Sequence, residues 1–320
     1  MVQRKMDRVI WPTMLTPFNA SNQVDYPVLE KMIDWYNGYG IRNFYAVCFS
    51  SEIMNLTQQE RMEIARFVRQ HTDKTSIVVA TGHVPGDLGL QMEDIRRTAD
   101  TGVDIVVLAT SFLAVREEGD DLLQQRLEMI LSAMKGVQFG LYECPIPYKR
   151  LLTPALLSWC AETGRFTFLK DTCCDRQTLK HRMDILRDTG LHLYNANSIT
   201  FLDSLKYGAS GYCGIMANFH PDLYVWLAQN WDKQKQAANK LQAFLGIAAL
   251  VECHDYPVNA KYYMQLENVP ISLVCRMNTE REFTDTYRLE MMRLQEITQD
   301  YRSFVCAQDK PICKPKENSL

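Results

Sequence analysis

Short apolar runs alternate with longer amphipathic ones along the chain. The short runs cover 9–15, 43–48, 76–81, 104–109, 137–142, 166–170, 191–195 and 211–215. Most are rich in β-branched or aromatic residues and are flanked by Gly, Asp or Asn, which predicts strands buried on both faces. Between them, 26–39, 57–71, 122–134, 154–162, 177–188 and 198–207 repeat apolar residues at helical spacing. In the first of these, Val28, Leu29, Met32, Ile33 and Tyr36 share a face. The second opens with Thr57-x-x-Glu60, a capping box. Gly40, Gly102, Gly136, Gly164, Gly190 and Gly208 each fall between a helical stretch and the next strand, where a helix C-cap is expected.

Eight such strand–helix units in one chain predict a (β/α)8 TIM barrel, an α/β fold with a parallel sheet. An open doubly wound sheet is the alternative. No GxGxxG and no P-loop motif follows any strand, which weakens a nucleotide-binding version. The pattern assigns 1–221 to the barrel. Beyond it, helical stretches at 222–230, 232–253, 257–265 and 284–303 predict a C-terminal helical extension over 222–305, packed on the barrel. The polar, proline-containing end, 306–320, is expected to fray.

Composition narrows the class. Of 320 residues, 47% are hydrophobic and 23% charged, a globular balance that excludes a disordered or collagen-like chain. With 35 basic and 38 acidic residues the net charge is −3, so no basic field invites nucleic acid or an anionic membrane. No apolar run is long enough to span a bilayer, and the first residues lack an apolar signal core. A cytoplasmic protein is expected. The ten cysteines contain no CxxC and no His at zinc-site spacing, so free thiols in a reducing compartment are expected, and no metal.

In such a barrel the chemistry sits at the C-terminal ends of the strands. The polar residues there are Thr16, Ser50, Ser51, Glu52, His83, Ser111, Tyr142, Glu143, Lys170, Asp171 and Asn197. Lys170 ends the run Phe166-Thr167-Phe168-Leu169. Burial disfavours its ammonium form, and a neutral amine attacks a ketone to form a Schiff base. The same position also suits a surface lysine whose stem snorkels to water. Tyr142 ends the preceding strand, so the two ends lie side by side. Its phenol can shuttle protons there, or simply face water at the rim. Cys48-Phe49-Ser50-Ser51-Glu52 offers adjacent hydroxyls and successive amides that suit a carboxylate, or an ordinary hydroxyl-capped turn.

These residues carry a resemblance. The chain resembles the dihydrodipicolinate synthase and N-acetylneuraminate lyase family of class I aldolases, from about Arg8 to Met277. Thr16-Pro17-Phe18 with Val24-Asp25 is similar to the family's opening. Cys48 to Glu52, then Leu56-Thr57 and Glu60-Arg61, is similar to its GTTGE segment and the helix after it. Ala80-Thr81-Gly82 falls where the family has its third-strand glycine. Tyr142-Glu143-Cys144-Pro145 resembles its YNxP, and Phe168-Leu169-Lys170-Asp171 its lysine strand. Gly208-Ala209-Ser210-Gly211, Ala217-Asn218 and Pro221, then Lys261 and Arg276, complete the set.

The resemblance implies a barrel with a C-terminal helical part, a homo-oligomer (dimer or tetramer), and no metal or organic cofactor. It implies that Lys170 condenses with pyruvate or a related 2-oxo acid and that Tyr142 carries protons at the reacting oxygen. Ser50, with the amides of Ser50 and Ser51, would hold the carboxylate, and Phe49, Phe112 and Cys213 would complete the substrate-binding set. The implied function is a Schiff-base-forming lyase or aldolase. The alternatives are a dehydratase of a 2-keto-3-deoxy sugar acid using the same lysine, or a non-catalytic paralogue binding such acids.

Departures concern the second substrate. Phe49 replaces the first threonine of GTTGE, and Thr110-Ser111-Phe112 stands where the family has PYY, so the tyrosine relay of the synthases is incomplete. The arginine that follows YNxP falls near Pro147, with Lys149 and Arg150 close by. Glu143, in place of Asn, is expected to set a negative charge beside Tyr142 and so to disfavour a dianionic partner. Phe49 and Phe112 suggest a less polar pocket. His83 is expected as a rim histidine bonded to backbone, and Cys173 and Cys174 as small packed thiols.

Overall fold

A computed structural model describes residues 6–277 and 282–308. All eight predicted strands form: β1 Val9–Ile10, β2 Phe44–Val47, β3 Val78–Thr81, β4 Ile105–Ala109, β5 Phe139–Tyr142, β6 Phe166–Asp171, β7 His192–Asn195 and β8 Gly211–Tyr212. They pair in parallel in the order β1-β8-β7-β6-β5-β4-β3-β2. A parallel bridge from Thr13 to Tyr45 joins the two ends, with Met14 N–H donating to the Tyr45 carbonyl at 3.1 Å. The result is a (β/α)8 barrel.

Helices run between the strands: α1 Tyr26–Gly38, α2 Gln58–His71, α3 Leu88–Ala99, α4 Thr110–Leu113, α5 Asp120–Ala133, α6 Pro154–Glu162, α7 Arg176–Leu186 and α8 Phe201–Tyr207. The Thr57 capping box is present, its side chain accepting from Glu60 N–H and Glu60 reaching back. The apolar pattern did not predict the one-turn α4 or the longer α3. The buried face of α3 holds Gln91, Asp94 and Thr98 beside Ile95, so polar side chains occupy core positions and blur the period. Five of the six predicted capping glycines adopt positive φ; at the end of α7 Asp188, not Gly190, takes the left-handed conformation.

Side-chain alternation along the strands divides the interior from the helix layer. Val107, Ala109, Tyr142, Phe168, Tyr194 and Cys213 join Trp11 and Tyr45 in a cluster inside the barrel. Val106, Leu108, Phe139, Leu141, Leu169 and Leu193 face the helices. Space inside is tight: a Cβ on Gly211, at φ +149°, would meet the Val9 carbonyl oxygen at 1.9 Å, so β1 and β8 can approach only at a glycine.

After β8 come α9 Pro221–Asn230, α10 Lys235–Ala248, α11 Val258–Leu266 and α12 Asp285–Gln308. Leu223, Leu227, Leu241, Leu245, Met264 and Met291 share one hydrophobic cluster with α1 and β2. The stretch predicted as one helix over 232–253 is α10 followed by a tighter turn, Ala249–Cys253. α12 continues to Gln308, and the rest of the expected tail lies outside the described residues. No helix among the described residues is long and apolar enough to cross a membrane.

Candidate active site

Lys170 and Tyr142 are register partners on adjacent strands, and both point inward. The Lys170 side chain enters a space walled by aromatic rings. Its Nζ lies 4.4 Å from the centre of the Tyr142 ring and 5.7 Å from that of Tyr45. Two residues back along β6, Phe168 stacks on Tyr194 at 5.0 Å and meets Trp11 edge-on at 5.2 Å, forming an aromatic floor. Lys170 is 5% exposed, which excludes the snorkelling surface lysine. Among the described residues no carboxylate lies within ion-pair distance of its amine. Ring faces, unlike a carboxylate, leave the hydrogen-bonding capacity of that nitrogen unused.

Tyr142 is buried, and burial holds its phenol well above the ordinary range, with the neighbouring Cys144 thiol acting the same way. It therefore stays protonated and able to donate. Burial raises Cys144 too and pushes Cys213 up to about 12, while the charge on Lys170 pulls Cys213 down. These thiols are neutral lining groups, not thiolate nucleophiles. The nine cysteines among the described residues are all unbridged, and no group of three or more His, Cys, Asp or Glu among those residues could hold a metal ion.

The 48–52 segment forms a tight turn, Phe49–Ser51, at the end of β2. Ser50 Oγ donates to Thr13 Oγ1 at 3.1 Å and also bonds the Tyr256 hydroxyl. Ser51 is committed to the turn: its N–H donates to the Cys48 carbonyl at 3.0 Å, its Oγ accepts from Cys48 N–H at 3.0 Å and donates to the Met14 carbonyl at 2.6 Å. Thr16 Oγ1 donates to the Ser51 carbonyl at 2.7 Å. Glu52, in the left-handed conformation, leaves the mouth and pairs with the fully buried Lys261 at 3.2 Å. Phe49 packs between the barrel interior and the helix layer. Phe112 joins the interior cluster and meets His83 edge-on at 5.6 Å.

Several expectations change. Glu143 does not stand beside the Tyr142 phenol. The strand alternation turns it outward, where it makes a double contact with Arg182 of α7, at 2.7 and 2.8 Å, and accepts from Leu152 N–H at 2.8 Å. Asp171 joins the same guanidinium. The Glu143 carboxylate is held behind the wall by Arg182, away from the Tyr142 phenol. His83 is wholly buried, not at the rim; its Nε2 accepts from Ala109 N–H at 3.0 Å, and burial lowers its pKa to about 3, leaving it neutral. Arg150 is bound to Asp120 at 2.9 Å and to the carbonyls of Val115 and Glu118, and Lys149 donates to the Thr172 carbonyl at 2.8 Å. Cys173 is half-buried and Cys174 exposed.

Sequence reasoning missed Tyr45, whose hydroxyl meets Thr81 Oγ1 at 2.8 Å inside the barrel. It also missed Tyr256 and Glu252, which reach the mouth from the C-terminal extension. Inward alternation on β2 could have found Tyr45. Nothing local marks the other two, because they arrive from a distant part of the chain.

A buried lysine at a strand end of a (β/α)8 barrel, against a tyrosine on the next strand, is an arrangement able to supply an amine nucleophile. The chain matches the Dihydrodipicolinate synthetase family over residues 6–295 and belongs to that family of lyases. It is 25% identical over 210 residues to a 4-hydroxy-tetrahydrodipicolinate synthase from Psychrobacter, covering 65% of this chain and 67% of that one. It is 21% identical over 290 residues to the enzyme of that name from Oceanobacillus iheyensis, covering 90% and 95%. In fold it superposes on YagE, a prophage protein of Escherichia coli K12 from the dihydrodipicolinic acid synthase family solved with pyruvate. The TM-score is 0.81 at 20% identity, over 91% of this chain and 98% of that one.

Proposed function

We propose that the protein is a Schiff-base-forming lyase or aldolase acting on pyruvate or a related 2-oxo acid. The observation that carries this is the Lys170 amine, buried against the Tyr142 ring and bound to no carboxylate among the described residues. The Lys170 nitrogen attacks the ketone carbon and water leaves, giving an iminium. The positive charge stays on the nitrogen, where the rings of Tyr142 and Tyr45 face it. Loss of a C3 proton, or of an aldehyde in the cleavage direction, delivers an electron pair to the iminium and forms the enamine. Tyr142, held protonated by burial, donates to the reacting oxygen. Ser50, at the end of β2, binds the carboxylate, with Ser51 fixing the turn that presents it; Phe49, Phe112 and Cys213 line the site. The reading requires no metal or organic cofactor. No observation favours the dehydratase or the non-catalytic binder over it.

The same reading places the enzyme in a reducing cytoplasm, which its unbridged thiols suit. It also takes the protein as a homo-oligomer, dimer or tetramer. Exposed Val115 and Ile146 beside a rim cavity of about 530 Å³, lined by Phe112, Arg116 and Tyr148, offer apolar surface that a second copy would cover. Mass spectrometry after incubation with pyruvate and sodium borohydride tests the chemistry. A reduced-pyruvate adduct on Lys170, absent in Lys170→Ala, is expected; no adduct with pyruvate or any other 2-oxo acid overturns the reading.

A further inference from the structure

The turn Ala249–Cys253, between α10 and α11, packs beside Ile215–Asn218, the turn that leaves β8 at the mouth of the barrel. Asn259 Nδ2 donates to the Val251 carbonyl at 2.7 Å and fixes it there. The turn delivers Glu252, whose Oε1 is buried and receives no hydrogen bond from any described residue. Its charge is felt by Tyr212 of β8, Tyr224 of α9, Tyr256 and Cys174, and it feels that of Lys170 on β6.

Several neighbouring polar groups are engaged with one another. The Tyr212 and Tyr224 hydroxyls both meet Ser198 Oγ at 2.7 Å. The Tyr256 hydroxyl meets Asn218 Nδ2 at 3.1 Å and Ser50. Lys149 and Arg150, the cations nearest in sequence to the Tyr142 strand end, hold carbonyls and Asp120. A buried carboxyl oxygen without a donor is costly unless something binds it. Burial also raises Glu252 to about 7, so it both accepts and donates near neutrality.

We propose that Glu252 is the specificity-determining group for the second substrate, binding a hydroxyl of an uncharged hydroxyaldehyde and rejecting aldehydes that carry a carboxylate. This rests on the Schiff-base reading of Lys170. In the condensation the enamine C3 bonds to the aldehyde carbon, the aldehyde oxygen gains a proton, and water releases the product from Lys170. Glu252 hydrogen-bonds a hydroxyl further along the aldehyde. A carboxylate at that place would lie against a like charge in a weakly polarisable surround.

Pyruvate consumption with D-glyceraldehyde and with glyoxylate, in the wild type and in Glu252→Gln, tests this. The kcat/KM ratio of the two aldehydes cancels any loss of folded protein. The wild type is expected to prefer D-glyceraldehyde, and Glu252→Gln to shift the ratio toward glyoxylate by about tenfold or more. An unchanged ratio, or a wild type that prefers glyoxylate, overturns the assignment. So does a wild type that forms the borohydride adduct with pyruvate yet condenses it with neither aldehyde. Absence of the adduct itself overturns the reading of Lys170 instead.

Discussion

The ends of β5 and β6 carry two neighbouring pairs of residues with opposite fates. Tyr142 and Lys170 face inward, where the amine meets ring faces and, among the described residues, no carboxylate. Glu143 and Asp171, one residue further along each strand, face outward and share the Arg182 guanidinium. All four side chains are nearly or wholly buried. The difference is in their partners. Behind the wall both carboxylates are hydrogen-bonded to one guanidinium, which ties the strand ends together. Inside it the proposed nucleophile has no carboxylate partner among the described residues, which leaves it available. A rigid, saturated outer layer is what holds an unsaturated inner site in one geometry.

Removing the inner amine should separate the two roles most sharply. Lys170→Ala should abolish the pyruvate adduct while circular dichroism and the melting profile stay close to wild type; an adduct that persists would move the nucleophile elsewhere. Tyr142→Phe should still form the adduct. It should slow exchange of the pyruvate methyl hydrogens in D2O, followed by NMR, by roughly 10²-fold or more, the usual share of a positioned acid–base group; undiminished exchange would remove Tyr142 from proton transfer.

The outer pair should answer in stability. Arg182→Met strands two buried carboxylates and should cost about 3–5 kcal/mol in denaturant unfolding. Adding Glu143→Leu should restore part of that loss, and a single variant as stable as wild type would mean that the triad holds nothing in place.

The smallest effect belongs to Glu252. Its folded pKa of about 7 lies above the ordinary carboxylate value. Between roughly pH 4.5 and pH 7 the folded state keeps a proton that the unfolded chain has released, so stability falls as pH rises through that window. Glu252→Gln should be neutral at pH 4 and stabilising at pH 8, by of order 2 kcal/mol. Thermal melts at the two pH values give the difference, and a gain independent of pH would mean that Glu252 is already paired or solvated.

The sequence by itself determined the barrel, its strand ends and the Lys170–Tyr142 pair. Runs of β-branched and aromatic residues, a capping box and glycines at helix ends are local signals, and strand order in a barrel follows chain order. The helix α3 escaped because polar Gln91, Asp94 and Thr98 sit on its buried face. Glu143 illustrates a second limit. Adjacency in sequence put its charge beside Tyr142, whereas alternation along a strand sends neighbouring side chains to opposite faces. Only the tertiary structure decided that Arg182 would meet it, that Lys261 would take Glu52 out of the mouth, and that Glu252 and Tyr256 would return to the site from the C-terminal extension. Those contacts join residues far apart in the chain, and no local pattern encodes which distant element closes over a barrel mouth.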